Sequence, residues 1–325
     1  MVADNQTGTL TASTVNICEG FPYLTKEIQQ QLNEDFFPVL NKFFIAINVV
    51  LSPITTCMNA LILISIWKTV SLHSPSHTLL ANLALSDLGI GLFVLPSFIV
   101  SKSFQISKNL DAVCFVGSLA ESLFFVIAGV SFFTLTCIAV NQFLVLYFHL
   151  RYNSLINMKE TKITLAFVWI LNIGLGVLRF KGHSINMFCS VAIVVVATCL
   201  LVTSVCYLKI LKIIARHRKQ INLALKITYQ MQDTLSFPKY KRSVNTMLLI
   251  WLLYLVCYTP LLCLLLYVGA TAERKSSKNI PIVGTCIVTM TMAGSCLNPV
   301  VYCLRIAELR CTVIKTAREI LRLKP

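Results

Sequence analysis

Apolar and polar residues are segregated along this chain into long blocks. Seven apolar blocks are each long enough to cross a bilayer as a helix. They run over about Phe43–Trp67, His77–Val100, Val113–Leu146, Ile163–Leu178, Met187–Ile214, Val244–Val268 and Ile280–Leu304. The third and fifth exceed the thickness of a membrane, so they must tilt or project into water. Ahead of them, residues 1–42 are polar and lean acidic, with Asp4, Glu19, Glu27, Glu34 and Asp35. This stretch lacks the apolar core and cleavage site of a removable signal, so the first span is expected to act as the anchor. Behind them, Ile306, Leu309, Val313, Ala317, Ile320 and Leu321 recur at helical spacing. Arg305, Arg310, Lys315, Arg318 and Arg322 fill the gaps, a pattern that predicts an interfacial helix on the inner leaflet. The pattern predicts an all-α membrane protein: an outer tail (1–42), a seven-transmembrane helix bundle (43–304) and a short C-terminal amphipathic helix with a cytoplasmic tail (305–325).

Composition strengthens this reading. Of 325 residues, 56% are hydrophobic and 13% charged, far too apolar for a soluble domain. The net charge of +15 does not point to nucleic acid, because the basic residues flank the apolar blocks, where they meet lipid headgroups. Most of the 28 Lys and Arg fall on one side, above all in residues 215–242. That side is the cytoplasm by the positive-inside rule, which puts the amino terminus outside. Asn5-Gln6-Thr7 is then a glycosylation sequon on the outer tail. The 13 cysteines lie mostly inside apolar runs, where a thiol acts as a small hydrophobe. Cys18, Cys114 and Cys189 fall near the outer surface and could pair. Cys311, on the amphipathic helix, is a candidate for acylation or an unmodified thiol.

The informative chemistry is the polar residues inside the blocks. Asp87 sits mid-span, where an ionisable group needs a partner, water or an ion. Asn59, Ser131, Ser295 and Asn298 share its depth; one carboxylate with hydroxyl and amide oxygens suits a sodium ion. The plainer alternative is a protonated, hydrogen-bonded Asp. Pro260 and Pro299 each interrupt a helix and bend it. Asn298 carries an amide that could serve the carbonyl freed by Pro299, and Tyr302 lies one turn on. Tyr254 and Tyr258 share a face before Pro260, as packing aromatics or as a floor that moves with the kink. Glu121 faces a pocket, pairs with Lys102 or Lys181, or reaches water. Trp169 reads as a packing or interfacial residue. No metal-ligand spacing or nucleophile–base pair points to an enzyme, and the five His lie in loops or at span ends. A transporter or channel is disfavoured by the single deep carboxylate and the lack of a repeat.

Taken together and in order, these residues resemble the rhodopsin-like (class A) G-protein-coupled receptors over roughly Phe43 to Leu321. Asn59 matches the first-span asparagine, and Leu83-Ala84-Leu85-Ser86-Asp87 the second-span LxxxD motif. Ser131 falls where the third-span serine belongs, Trp169 at the fourth-span tryptophan and Tyr207 at the fifth-span tyrosine. Cys257-Tyr258-Thr259-Pro260 looks like CWxP, and Asn298-Pro299-Val300-Val301-Tyr302 is NPxxY. The resemblance implies an extracellular ligand, a cytosolic heterotrimeric G protein, sodium near Asp87 and, in some members, dimers. It implies no other cofactor. By position it assigns Glu121, Phe124, Phe125, Tyr258 and Leu262 to the ligand pocket, and Arg151, Arg216, Lys241 and Arg242 to G-protein contact.

Three departures stand out. The inner DRY motif reads Asn141-Gln142-Phe143, and a neutral Gln cannot replace the planar Arg cation. Tyr240 stands where many members keep an acid. Tyr258 replaces the usual tryptophan, and Cys199 stands about where the fifth-span proline belongs. The fourth-to-fifth connection, about Arg179 to Asn186, holds no cysteine, which leaves Cys189 as the nearest partner in the family's pattern for Cys114. Phe124 stands where amine receptors keep an aspartate, so the expected ligand is a lipid, another hydrophobic molecule or a peptide. Gln142 keeps open a signalling-deficient decoy or dimer-partner role.

Overall fold

The computed structural model describes residues 36–148, 156–180, 185–228, 237–271 and 280–321. Eight helices occupy them: α1 (Phe36–Lys68), α2 (Pro75–Ile106), α3 (Leu110–Phe148), α4 (Met158–Phe180), α5 (Ile185–Thr228), α6 (Phe237–Thr271), α7 (Ile280–Arg305) and α8 (Ala307–Ile320). Seven are long and apolar enough to cross a membrane; α8 is the amphipathic helix. Among the described residues there are no strands. The fold is the seven-helix bundle that the hydropathy pattern predicts.

Helix ends follow local chemistry. Ser74 caps α2, its hydroxyl accepting from the His77 amide at 3.4 Å, and Pro75 fills the first turn where no donor is needed. α4 starts earlier than the apolar block alone implies. Asn157 and Glu160 form a reciprocal capping box: the Glu160 amide donates to Asn157 Oδ1 at 2.9 Å, and the Asn157 amide to Glu160 Oε2 at 3.4 Å. That box adds a turn ahead of Ile163.

α2 is not uniform. Ile90–Val94 forms a π turn just before Pro96, and the Leu95 amide reaches the Ile90 carbonyl. The register shift leaves the Gly91 carbonyl facing Pro96, which has no N–H to give. Ser52 of α1 donates to that carbonyl at 2.8 Å. Gly91 is needed there, since a Cβ would lie 2.5 Å from Thr56 Oγ1 and 2.9 Å from the Thr56 amide nitrogen. α1 also carries Pro53 in its interior, a third helix-breaking position beside Pro260 and Pro299.

α3 forms the axis, packed against α2, α4 and α5. It meets α4 through glycines: a Cβ on Gly129 would fall 2.2 Å from Asn172 Oδ1, and one on Gly176 2.1 Å from a Val126 methyl. The main apolar core joins Leu79, Leu80 and Leu83 to Phe132, Tyr254, Tyr258 and Tyr302. α8 docks under the bundle through the fully buried Leu309, in the same core as Leu72. Ser71 donates to Glu308 Oε1 at 2.8 Å, and Lys68 pairs with Glu319 at 3.7 Å, which tie α8 to the inner end of α1 and the turn after it.

Candidate functional site

Asp87 is fully buried where α2, α3 and α7 meet. Asn298 Nδ2 donates to its Oδ2 at 2.7 Å. The Ser131 hydroxyl lies 3.1 Å from its Oδ1 and 2.8 Å from Ser86 Oγ, so its one proton serves either acceptor. The Ser295 hydroxyl stands beside the same carboxylate. The structure therefore gathers Asp87, Ser131, Ser295 and Asn298, which the sequence places at one depth on three helices, and adds Ser86. Burying a carboxylate in a membrane is tolerable only with such partners.

Pro299 has a different partner from the one its neighbourhood implies. The carbonyl it deprives is that of Ser295, four residues back. Asn59 Nδ2 donates to that carbonyl at 3.2 Å, as well as to Thr55 O at 2.9 Å. Asn298 does not serve the kink; its amide goes to Asp87. A single asparagine on α1 thus stabilises the bend of α7.

Beside this cluster, starting from the neighbour of Ser131 on α3, lies an aromatic column. The Phe132 ring stacks on Tyr254, with centroids 5.3 Å apart and planes 5° apart, and lies 4.5 Å from the Tyr258 ring. Tyr254 and Tyr258 are 5.2 Å apart. The Tyr254 hydroxyl is 3.1 Å from Thr136 Oγ1, to which Thr203 donates at 3.3 Å, so α3, α5 and α6 share one hydroxyl chain. Tyr258, Tyr254, Asn298 and Tyr302 also line an internal cavity of ≈ 20 Å³, room for about one water. Tyr207 and Tyr302 are both buried, and Tyr207 packs with Val301. Trp169 is not only a packing group. Its Nε1 donates to Asn82 Oδ1 at 2.9 Å, and Asn82 Nδ2 donates to Thr134 at 2.8 Å, which joins α4, α2 and α3.

At the outer end, Glu121 pairs with Arg179, not with Lys102. Arg179 Nε lies 3.4 Å from Glu121 Oε1, and its side chain is fully buried. Lys102 is buried against the Phe98 ring of its own helix, and Lys181 lies outside the described residues. The guanidinium also sits 5.6 Å from the Phe188 ring, which meets Phe125 at 4.8 Å. Phe124 turns the other way, into a cluster with Ile90, Val94, Leu95 and Met292. Leu262 is half-buried beside the main core. Arg179 and Phe188 escape sequence reasoning because each reads as a flank of a span.

The pairing of Cys114 with Cys189 does not form. Cys189 is a buried free thiol, whereas Cys114 is disulfide-bonded.

At the inner end, Asn141 Nδ2 donates to Ser76 Oγ at 2.9 Å. Gln142 Oε1 is buried with no hydrogen-bond partner. The Phe143 ring meets Tyr147 at 5.4 Å and the Lys209 ammonium at 5.3 Å. Arg216 is exposed on α5. Lys241 and Arg242 lie in the first part of α6, their side chains outside the described residues, as are Asn5 and Arg151. Cys311 is an exposed free thiol on α8.

A seven-helix membrane bundle with a buried mid-span carboxylate, a proline-kinked last span and a docked amphipathic helix defines a class of membrane receptor. The family model of the 7 transmembrane receptor (rhodopsin family) matches residues 58–302, and the chain belongs to that family. It is similar to the chicken adenosine receptor A2b, 23% identical over 317 residues that cover 86% of this chain and 89% of the relative. It is similar to the human adenosine receptor A2b, 28% identical over 143 residues, 43% of this chain and 40% of that receptor's length. It is also similar to the mouse G-protein coupled receptor 12, 25% identical over 269 residues, 78% of this chain and 75% of the relative. Family membership and the seven membrane-length helices make this a multi-pass membrane protein.

Proposed function

We propose that this receptor, at the plasma membrane with its amino terminus outside, passes the binding of an extracellular ligand to a heterotrimeric G protein. The observation that carries the reading is the Phe132–Tyr254–Tyr258 column, which runs from below the outer pocket to the hydroxyl chain of α3, α5 and α6. A ligand that favours one packing of these rings biases the inner ends of α5 and α6; its effect equals its differential affinity for the two packings. The pocket wall supports a hydrophobic ligand, a lipid above all, or a peptide. Phe125 and Phe188 supply apolar surface, and Arg179 neutralises Glu121, an acid that would otherwise attract an amine. Adenosine, after which two of these relatives are named, is the second ligand class to test.

Asp87, Ser131 and Ser295 supply oxygens of the kind a sodium ion takes, the buried carboxylate supplies its charge, and Asn298 orients that carboxylate through its Nδ2. Sodium there would favour one packing of α2, α3 and α7. Arg151, Arg216, Lys241 and Arg242 are the candidate basic contacts for the G protein.

The test is a screen of lipids, peptides and nucleosides on cells carrying a G-protein dissociation reporter. A response lost in Phe125→Ala at unchanged surface expression supports the pocket; no response to any class with any G protein favours the decoy role. Gln142→Arg should raise basal G-protein activation, and no change across a panel of G proteins counts against coupling limited by Gln142. Purified receptor should melt higher in sodium chloride than in equimolar potassium chloride, and Asp87→Asn should erase the difference. Equal melting in both salts for the unaltered protein rejects the sodium site.

A further inference from the structure

One face of α5 changes from apolar to basic at the inner end of the bundle. Val202, Val205, Lys209, Lys212 and Arg216 follow one another at alternating intervals of three and four residues, which stacks them on one side of a helix. All five are exposed. The face is turned to α3, for Lys209 Nζ stands 5.3 Å from the centre of the Phe143 ring. It is turned away from α6. Ser204, which accepts from Trp251 Nε1 of α6 at 3.3 Å, lies roughly 140° round the helix from Lys209. One turn inward of Phe143 is the exposed Tyr147, its ring 5.4 Å from the Phe143 ring. One turn inward of Lys209 is Lys212, so the two aromatic rings and the two ammonium groups occupy the same depth on neighbouring helices.

We infer that the seam between the inner ends of α3 and α5 binds an anionic phospholipid of the inner leaflet. Its parts match the amphiphile in order. Val202 and Val205 offer apolar surface to the acyl chains. Lys209 and Lys212 place two compact positive charges at the depth of the headgroup, where the Tyr147 hydroxyl adds a donor. Arg216 continues the same face one turn further in. Among the described residues no ion pair uses these three cations. The cytoplasmic leaflet carries the anionic lipids that such a cluster attracts. Positive-inside bias accounts for the sign of these residues, but not for their alignment on one face beside an aromatic pair.

The site is separate from the outer pocket and does not depend on the proposed ligand or on G-protein coupling. Arg216 also stands among the candidate G-protein contacts, so the test leaves it unaltered.

The experiment uses the full-length chain in nanodiscs of phosphatidylcholine, with and without phosphatidylserine. Phosphatidylserine should raise the melting temperature, and native mass spectra should show it bound to the receptor. Lys209→Gln combined with Lys212→Gln should lower that binding about twentyfold and leave melting in phosphatidylcholine alone unchanged. Lys209→Arg with Lys212→Arg should keep the binding. Lys315→Gln with Arg318→Gln, an equal charge change on the exposed side of α8, should keep most of it. On the unaltered chain, phosphatidylserine with a photoreactive acyl chain should crosslink to α5 between Val202 and Lys212 or to the inner end of α3. Inorganic phosphate added to phosphatidylcholine nanodiscs should not raise the melting temperature. Unchanged binding in the α5 variant overturns the inference, as does an equal loss in the α8 variant. A crosslink confined to other helices, or a melting rise with inorganic phosphate that matches the lipid's, does the same.

Discussion

The middle of the bundle and the inner end of α3 handle polar groups in opposite ways. Around Asp87 the donors and acceptors meet: Asn298 and Ser131 on the carboxylate, Asn59 on the carbonyl that Pro299 deprives. About three helical turns inward from Ser131, Gln142 keeps a buried carbonyl oxygen with no partner, where the family's pattern has a charged Arg. Neighbouring Asn141 turns aside to Ser76. The difference teaches that the mid-membrane network is a cross-linked unit, while the inner end has lost the charge that would hold α3 to its neighbours. Removing a partner from a satisfied network is expensive, whereas removing an unsatisfied group is not.

That contrast can be broken by measurement. The largest effect is expected for Asp87→Ala, which leaves the Asn298 amide and the Ser131 hydroxyl without their acceptor. Stability should fall by up to about 3 kcal/mol for the groups left unpaired, read as a lower melting temperature of the solubilised receptor. Asn82→Leu comes next. It strands the Trp169 N–H and removes an acceptor between α2, α3 and α4, and should cost about 1–2 kcal/mol in the same assay. Gln142→Leu should then leave stability within about 0.5 kcal/mol of the parent, or raise it, because a buried carbonyl oxygen without a partner gives way to a similar apolar volume. A loss as large as that of Asp87→Ala would show that Gln142 has a structural partner and end the comparison. The smallest effect belongs to Lys68→Met. Its pair with Glu319 is about half exposed on both sides, and exposed pairs contribute roughly 0–1 kcal/mol; the melting temperature should barely move, with or without added salt.

Much of the site is legible along the chain. Asp87, Asn298 and Pro299 stand out because each breaks an apolar run, and a polar group in lipid demands a reason. Their partners are less legible. Ser86 and Thr136 are common hydroxyl residues that helices bury by bonding their own carbonyls. Only the crossing of helices shows that they meet Ser131 and Tyr254. Arg179 is the sharpest case. At the end of a span, an Arg reads as an interfacial anchor, yet here it is wholly buried against Glu121 and Phe188.

Hydropathy alone determined the seven spans, the amphipathic end helix and the charge bias between the two sides, because the cost of polar backbone and charge in lipid acts residue by residue. Local chemistry likewise determined the Asn157–Glu160 box and the kinks at the prolines. Tertiary structure decided that Asn59 rather than Asn298 completes the bend of α7, and that Ser52 answers the carbonyl stranded by Pro96. It also decided that Cys189 stays reduced. Those outcomes depend on the rotation and depth of one helix against another, which are set by side-chain packing across the bundle and leave no periodic trace in any single segment.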